Sequence, residues 1–307
     1  MRVGFIGLGA MGRPMALRVI RAGYPLVTTF HNDRTAADEL AALGAEIASS
    51  PAEVMLRSDV VITILPADPQ LEECVLGPKG VLEAVAPGKI LIDMTTCTAS
   101  TVIDIAKKIE AVGGRLLDAP VSGGTTGAET GTLTIMVGGD SVLLEECRML
   151  LATMGTRIVH VGEVGHGKVI KILNQALAAI HIAAIGEVFA FGVRCGMDED
   201  VIYDVIRESS GHSRMMDLRL QKFLFSGSFE PGFKLDLMKK DILLAVDSAQ
   251  AGNIPMLLTS SVAQLFSAAS GAGYGKSDFS RAAEYIAALA GTTLKQDRKT
   301  ETQGGQR

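Results

Sequence analysis

Residues 1–16 read Met1-Arg2-Val3-Gly4-Phe5-Ile6-Gly7-Leu8-Gly9-Ala10-Met11-Gly12-Arg13-Pro14-Met15-Ala16. A short β-rich run, Arg2–Gly7, passes into three glycines spaced as GxGxxG and then into apolar residues at helical spacing over Pro14–Arg21. In a strand–turn–helix unit the first glycine permits the tight turn and the second lets backbone approach a pyrophosphate. The third lets the helix pack close, so that its N-terminal N–H groups face an anion. One Arg ahead of an apolar run superficially resembles a secretion signal, but the glycines and the helical continuation make it a buried strand and turn. Gly-rich turns are common, so the pattern gains its weight from the strands and helices downstream of it.

Further β-rich runs lie at Leu26–His31, Asp59–Leu65, Lys89–Asp93, Arg115–Ala119, Thr132–Val137 and Arg157–His160, with helical patterns at Thr35–Leu43 and Thr98–Val112. This alternation predicts an α/β domain over residues 1–163, a mostly parallel doubly wound sheet covered on both faces. Shorter links near Thr132 and Arg157 predict an antiparallel or mixed edge. Beyond Gly162 the character changes. Residues 164–193 form a long, nearly all-apolar helix that must be buried on most sides. Lys171, Asn174, Gln175, His181 and Glu187 make it too polar for a membrane span. It joins the first domain to an all-α domain over 194–291, with helices at Asp198–Glu208, Lys234–Ala251, Leu257–Ala269 and Ser280–Ala290. Residues 292–307 are polar with a single Leu and read as a flexible tail.

The 307 residues carry 29 basic and 34 acidic side chains, a net charge of -5, with 48% apolar residues, 5% aromatic and no Trp. No Lys/Arg block offers a phosphate-neutralising footprint, so nucleic acid is not an expected partner. No apolar stretch is long and uncharged enough to imply a membrane partner. Cys74, Cys97, Cys147 and Cys195 are scattered without a CxxC pair, which fits a reduced cytoplasmic protein better than a disulfide or zinc framework. His31, His160, His166, His181 and His212 show no ligand spacing, and no metal is expected.

Gly7, Leu8, Gly9, Ala10, Met11 and Gly12 are the candidate cofactor cradle for a dinucleotide. The second strand should end at the adenosine ribose, and there the sequence has Asn32, Asp33 and Arg34. Arg34 suits a 2′-phosphate, which favours NADP over NAD, while Asp33 and Arg34 equally suit the start of the next helix. Leu65-Pro66 and Thr95-Thr96 end two further strands at the carboxyl edge of the sheet, where ligands of such folds bind; either threonine also suits an N-cap. Ser122-Gly123-Gly124 forms a turn suited to a carboxylate. Lys171, Asn174 and Gln175, at i, i+3 and i+4, share one face of the apolar helix and call for a polar partner.

At these residues the chain resembles the β-hydroxyacid dehydrogenase family, which includes 3-hydroxyisobutyrate dehydrogenase and tartronate and glyoxylate/succinic semialdehyde reductases. GFIGLGAMGRPMA, DMTT, DAPVSGGTTGAETGTL, GHGKVIKILNQ and Lys239-Lys240-Asp241 occur in family order. The resemblance implies a Rossmann domain followed by a helical one, and NAD(P)-linked interconversion of a 3-hydroxy acid with its semialdehyde. It assigns Lys171 as catalytic general acid/base and Ser122, Gly123 and Gly124 to the substrate carboxylate. Leu65, Pro66, Gln70, Thr96 and Lys240 fall on cofactor-contacting positions, and Phe233 and Asp241 on neighbouring substrate-side positions. Many members carry Asn-Asn where this chain has Asn174-Gln175, a departure that bears on the substrate pocket.

An apolar setting would bring the Lys171 ammonium toward the working range for proton transfer. In the loop Ser209–Arg214, Arg214 or His212 would suit a second anionic group, and a solvated loop is the alternative. A 6-phosphogluconate dehydrogenase would show His at position 174, and an imine reductase would lack Lys171 and the Ser122–Gly124 turn. A non-catalytic cofactor-binding sensor or scaffold is the reading from another class. The long helix carries more apolar surface than a small helical domain covers, which predicts a homodimer or homotetramer.

Overall fold

The structure, a computed structural model, describes residues 1–294; the expected tail lies almost wholly outside the described residues. The chain divides into two compact units between Leu173 and Asn174. That division falls inside the long helix rather than at its start.

The first unit alternates β1 (Val3–Ile6), α1 (Gly12–Arg21), β2 (Leu26–Thr28), α2 (Thr35–Ala42), β3 (Glu46–Ile47), α3 (Pro51–Leu56), β4 (Val60–Thr63), α4 (Asp68–Leu76), β5 (Ile90–Asp93), α5 (Ala99–Ala111) and β6 (Arg115–Asp118). Then come β7 (Val121–Ser122), α6 (Gly124–Thr130), β8 (Leu133–Gly138), α7 (Ser141–Leu151), β9 (Gly155–Gly162) and the start of α8 (His166–Arg194). Strands β1 to β6 are parallel in the order 3-2-1-4-5-6, the doubly wound order that leaves a crevice at the carboxyl ends of β1 and β4. β8 adds antiparallel to β6 and β7 and parallel to β9, which is the expected mixed edge.

Residue alternation within each strand builds the two faces. Val60, Ile62, Ile90 and Ile92 point into a cluster with Met15 and Val19 of α1 and Leu143, Cys147 and Leu150 of α7. Val61 and Leu91 point the other way, against Val54 of α3, Leu71 and Val75 of α4, and Val102, Ile105 and Ile109 of α5. Each fully buried aliphatic side chain contributes about 1.5–3 kcal/mol. Strands buried on both faces read as unbroken apolar runs, which is why β1, β4 and β5 are visible in the sequence.

The second unit is helical: the remainder of α8, then α9 (Glu199–Arg207), α10 (Arg214–Arg219), α11 (Leu235–Ala251), α12 (Leu257–Ala269) and α13 (Arg281–Leu289). Two short π-helical stretches, Leu220–Phe225 and Ser270–Tyr274, follow α10 and α12. Ile182, Phe189, Leu220, Leu224, Ile242, Phe266 and Ala282 form its core. A Cβ on Gly186 would stand 2.8 Å from Cα of Ala283, so glycine there sets how closely α8 and α13 pack. One side of α8 is buried; Leu177, Ala184, Glu187, Val188 and Phe191 on the other are exposed.

Candidate active site

The glycine turn is built as the sequence requires. Gly7 has φ +101°, and a Cβ there would lie 2.1 Å from the Ile64 carbonyl oxygen. A Cβ on Gly12 would lie 1.8 Å from the Gly7 carbonyl oxygen. Both glycines are dictated by the protein's own packing. Gly9 differs: a Cβ there would meet nothing within 4 Å. α1 has no acid in its first turn and no side-chain cap, so its orphan N–H groups and helix dipole suit a phosphate. These residues therefore fit a dinucleotide. A cavity lined by Leu8, Gly9, Ala10, Arg13, Asp33 and Thr35 extends from the turn toward the end of β2.

There, Phe30, Asn32 and Arg34 are exposed. Asp33 Oδ1 accepts from the Thr35 N–H at 2.9 Å and Arg34 Nε donates to Asp38 at 2.8 Å, so both side chains are engaged at the start of α2. The Arg34 guanidinium also lies 5.3 Å from the centre of the Phe30 ring.

The carboxyl edge of the sheet carries a polar row. Thr63 on β4, Asp93 on β5 and Asp118 on β6 are register partners on adjacent strands, and all three are buried. The Thr63 hydroxyl donates to Asp93 Oδ1 at 2.7 Å. Just beyond, Thr95 is buried and its hydroxyl accepts from the Leu65 N–H at 3.0 Å, tying together the loops after β4 and β5. Thr98, not Thr95 or Thr96, caps α5. Thr95 thus has a structural task, while Thr96 is half-buried and Pro66 and Gln70 are exposed.

Lys168 had no role in the sequence reading beyond its place in the motif. Its Nζ lies 2.7 Å from Asp93 Oδ2 and donates to the carbonyl oxygens of Asp93 and Thr95, each at 2.8 Å. Asp118 receives the N–H groups of Gly165 (3.0 Å) and Lys168 (2.9 Å). Burial opposes the Lys168 charge, yet Asp93 and Asp118 outweigh it and hold the ammonium above its ordinary pKa. Burial pushes the Asp118 carboxyl up, opposed by Lys168 and the two N–H groups. No local pattern links positions 93 and 168, so only the fold reveals the pair. Lys171 follows one turn later and is buried.

Ser122 closes β7, half-buried, and Gly123 (φ +138°) and Gly124 (φ +63°) make the turn into α6. Two consecutive positive φ values confine this turn to glycine.

In the second unit, Gln175 Nε2 donates to Asp241 Oδ2 at 2.8 Å and Asn174 Nδ2 donates to Gln175 Oε1 at 3.1 Å. Lys240 Nζ lies 2.9 Å from Asp241 Oδ1. Its neighbour Lys239 bonds Ser270 (2.7 Å) and pairs with Asp236 (3.2 Å), so the two lysines are engaged differently. The structure thus groups Asn174, Gln175, Lys240 and Asp241. The sequence reading missed Asp278, which is buried and accepts the N–H groups of Gly232 (3.2 Å) and Phe233 (3.1 Å), holding the segment before α11. His212 Nε2 sits 3.0 Å from Asp217, so its ring faces a carboxylate; Arg214 is exposed at the start of α10. All four cysteines are free, and the described residues hold no cluster of three or more His, Cys, Asp or Glu suited to a metal.

The two units define an NAD(P)-binding oxidoreductase of two-domain α/β plus all-α type, and comparison with known proteins narrows it. Residues 2–162 match the family profile for the NAD-binding domain of 6-phosphogluconate dehydrogenase, and residues 165–286 that of NADP-dependent 3-hydroxyisobutyrate dehydrogenase. The chain is 37% identical to 2-(hydroxymethyl)glutarate dehydrogenase of Eubacterium barkeri, over 95% of this chain and 97% of that one. It is 35% identical to 2-hydroxy-3-oxopropionate reductase of Escherichia coli (strain K12), over 96% and 100%. A Mycobacterium tuberculosis 3-hydroxyisobutyrate dehydrogenase structure with L-serine superposes at TM-score 0.85 with 31% identity, over 93% and 99%. The chain belongs to the β-hydroxyacid dehydrogenase family.

Proposed function

We propose that this enzyme interconverts a small 3-hydroxy acid and its semialdehyde, with NADP as the preferred cofactor and Lys171 as general acid/base. The observation that carries the reading lies within the first unit. Asp118 fixes the start of α8 to the carboxyl end of β6, on the sheet edge that bears the Gly7–Gly12 turn, and Lys171 lies buried one turn along that helix. Gly7, Leu8, Gly9, Ala10, Met11 and Gly12 would cradle the pyrophosphate, Asn32 and Arg34 the adenosine ribose and its phosphate. Leu65, Pro66, Gln70, Thr96 and Lys240 would contact the remainder. When bound, the nicotinamide supplies the hydride acceptor or donor.

In oxidation, Lys171 takes the proton of the substrate hydroxyl while the hydride leaves the carbinol carbon; in reduction, Lys171 returns a proton to the carbonyl oxygen. Ser122, Gly123 and Gly124 hold the carboxylate, and Asn174, Gln175, Phe233 and Asp241 shape the pocket. The relatives named for a (hydroxymethyl)glutarate and a hydroxy-oxopropionate support a small carboxylate substrate. Arg214 suits a second anionic group on it. We further propose a cytoplasmic homodimer or homotetramer, since α8 leaves Leu177, Val188 and Phe191 exposed along one side.

The test is a screen of NADH and NADPH against small semialdehydes carrying one or two acidic groups, with Lys171→Met alongside. Reduction should fall about 10²- to 10⁴-fold in the variant while cofactor binding persists. Undiminished reduction would sink the reading.

A further inference from the structure

We propose that Lys168 is a positioning residue for hydride transfer, fixing both the first turn of α8 and the loop after β5. The proposal rests on the reading of Lys171 as general acid/base.

Asp93 and Asp118 are register partners on neighbouring parallel strands, so two buried carboxylates stand side by side at the sheet edge. Unaided, such a pair is unfavourable. Lys168, 1% exposed, supplies the compensating charge. Its three acceptors are Asp93 Oδ2, the Asp93 carbonyl and the Thr95 carbonyl, which account for all three ammonium protons. The side chain therefore clamps the Asp93–Thr95 backbone. Its own N–H is meanwhile held by Asp118, so the same residue is fastened to β5 through its tip and to β6 through its backbone.

Lys171, three residues on, inherits its position from this attachment, because a helix turn is a rigid spacer. Thr96, next to Thr95, inherits its own from the same clamp. The glycines around the attachment are needed for it. A Cβ on Gly167 would stand 2.5 Å from Asp118 Oδ2, and one on Gly138 2.3 Å from Asp118 Oδ1. Gly167, just ahead of Lys168, is thus a close-approach point of this joint, and the proposal gives Lys168 a separate task from Lys171.

The experiment compares Lys168→Met, the double variant Lys168→Met/Asp93→Asn, and Lys171→Met in the full chain. The double variant removes one charge of each sign and so keeps the local net charge at its native value, while Asp118 keeps its two backbone N–H donors. We expect Lys168→Met to lower kcat about a hundredfold, the cost of an ångström-scale misplacement, with KM for the semialdehyde and Kd for NADPH within threefold of the native values. In the double variant the unfolding midpoint should recover relative to the single variant, and kcat should not. Recovery of kcat in parallel with stability would make Lys168 a scaffold residue and overturn the proposal. So would a kcat within threefold of native in either folded variant, or failure of both to fold. If Lys171→Met retains full reduction, the general acid/base reading fails instead, and that outcome is independent of what Lys168 does.

Discussion

Gln175 and Asp241, 66 positions apart in the chain, are joined by a 2.8 Å hydrogen bond from Nε2 to Oδ2. Both side chains are buried. The Gln175 side chain therefore spans the distance from α8 to Asp241 on α11. Gln175 has Oε1 occupied by Asn174 and Nε2 by Asp241, so both ends of its amide are held by protein partners.

Gln175→Asn tests that bond directly. The shorter amide leaves a buried carboxylate oxygen without its donor, which should cost about 1–3 kcal/mol of stability. Urea unfolding measures the cost, and steady-state kinetics should show a raised KM for the hydroxy acid. An unchanged unfolding midpoint would refute the bond's importance.

The glycine turn allows a paired test. Gly7→Ala should destabilise by about 2 kcal/mol or more, since its φ is positive and its Cβ would strike the Ile64 carbonyl. Gly9→Ala meets no protein atom within 4 Å, so stability should stay within about 0.5 kcal/mol of native. Its KM for the cofactor should nevertheless rise about tenfold, roughly 1.4 kcal/mol of lost binding. Equal stability loss in both variants would contradict the division of labour between the two glycines.

Arg34→Ala tests the proposed preference for NADP. Loss of a charge-assisted bond to a 2′-phosphate is worth about 1.5–3 kcal/mol, so Arg34→Ala should raise the KM for NADPH by roughly ten- to a hundredfold. The KM for NADH should scarcely move. If both change alike, Arg34 serves only its pair with Asp38.

Phe191, 73% exposed on α8, should lie in the subunit contact. In the proposed oligomer, Phe191→Asp would place a charge in a subunit contact where a buried aromatic anchor is worth about 2 kcal/mol or more. Light scattering at micromolar concentration should show the native chain as an oligomer and the variant shifted toward monomer. A native monomer would end the oligomer proposal.

How much was legible depends on range. The GxGxxG turn, the apolar strands and the long helix are local patterns, and the structure returns each within a few residues. The strand expected over Leu26–His31 ends at Thr28, because Phe30 and the residues after it leave the sheet for solvent. α3 and α7 went unread although their caps are present: Ser50 accepts from the Glu53 N–H and Asp140 from the Leu143 N–H. β3 and β7, two residues each, carry too little periodicity to register.

The amino-acid order alone determined a glycine turn after a buried strand, an alternating α/β half, an apolar helix bearing Lys171, and a helical remainder. These depend on residues a few positions apart, whose spacing dictates which side chains share a face. Tertiary structure decided which partner each polar side chain meets. Lys168 is consumed by Asp93, Lys239 by Ser270, and Gln175 by Asp241. Partners separated by 31 to 75 positions meet only once strands and helices have packed. A buried charge is then satisfied by whatever the fold brings within hydrogen-bonding reach, about 3 Å.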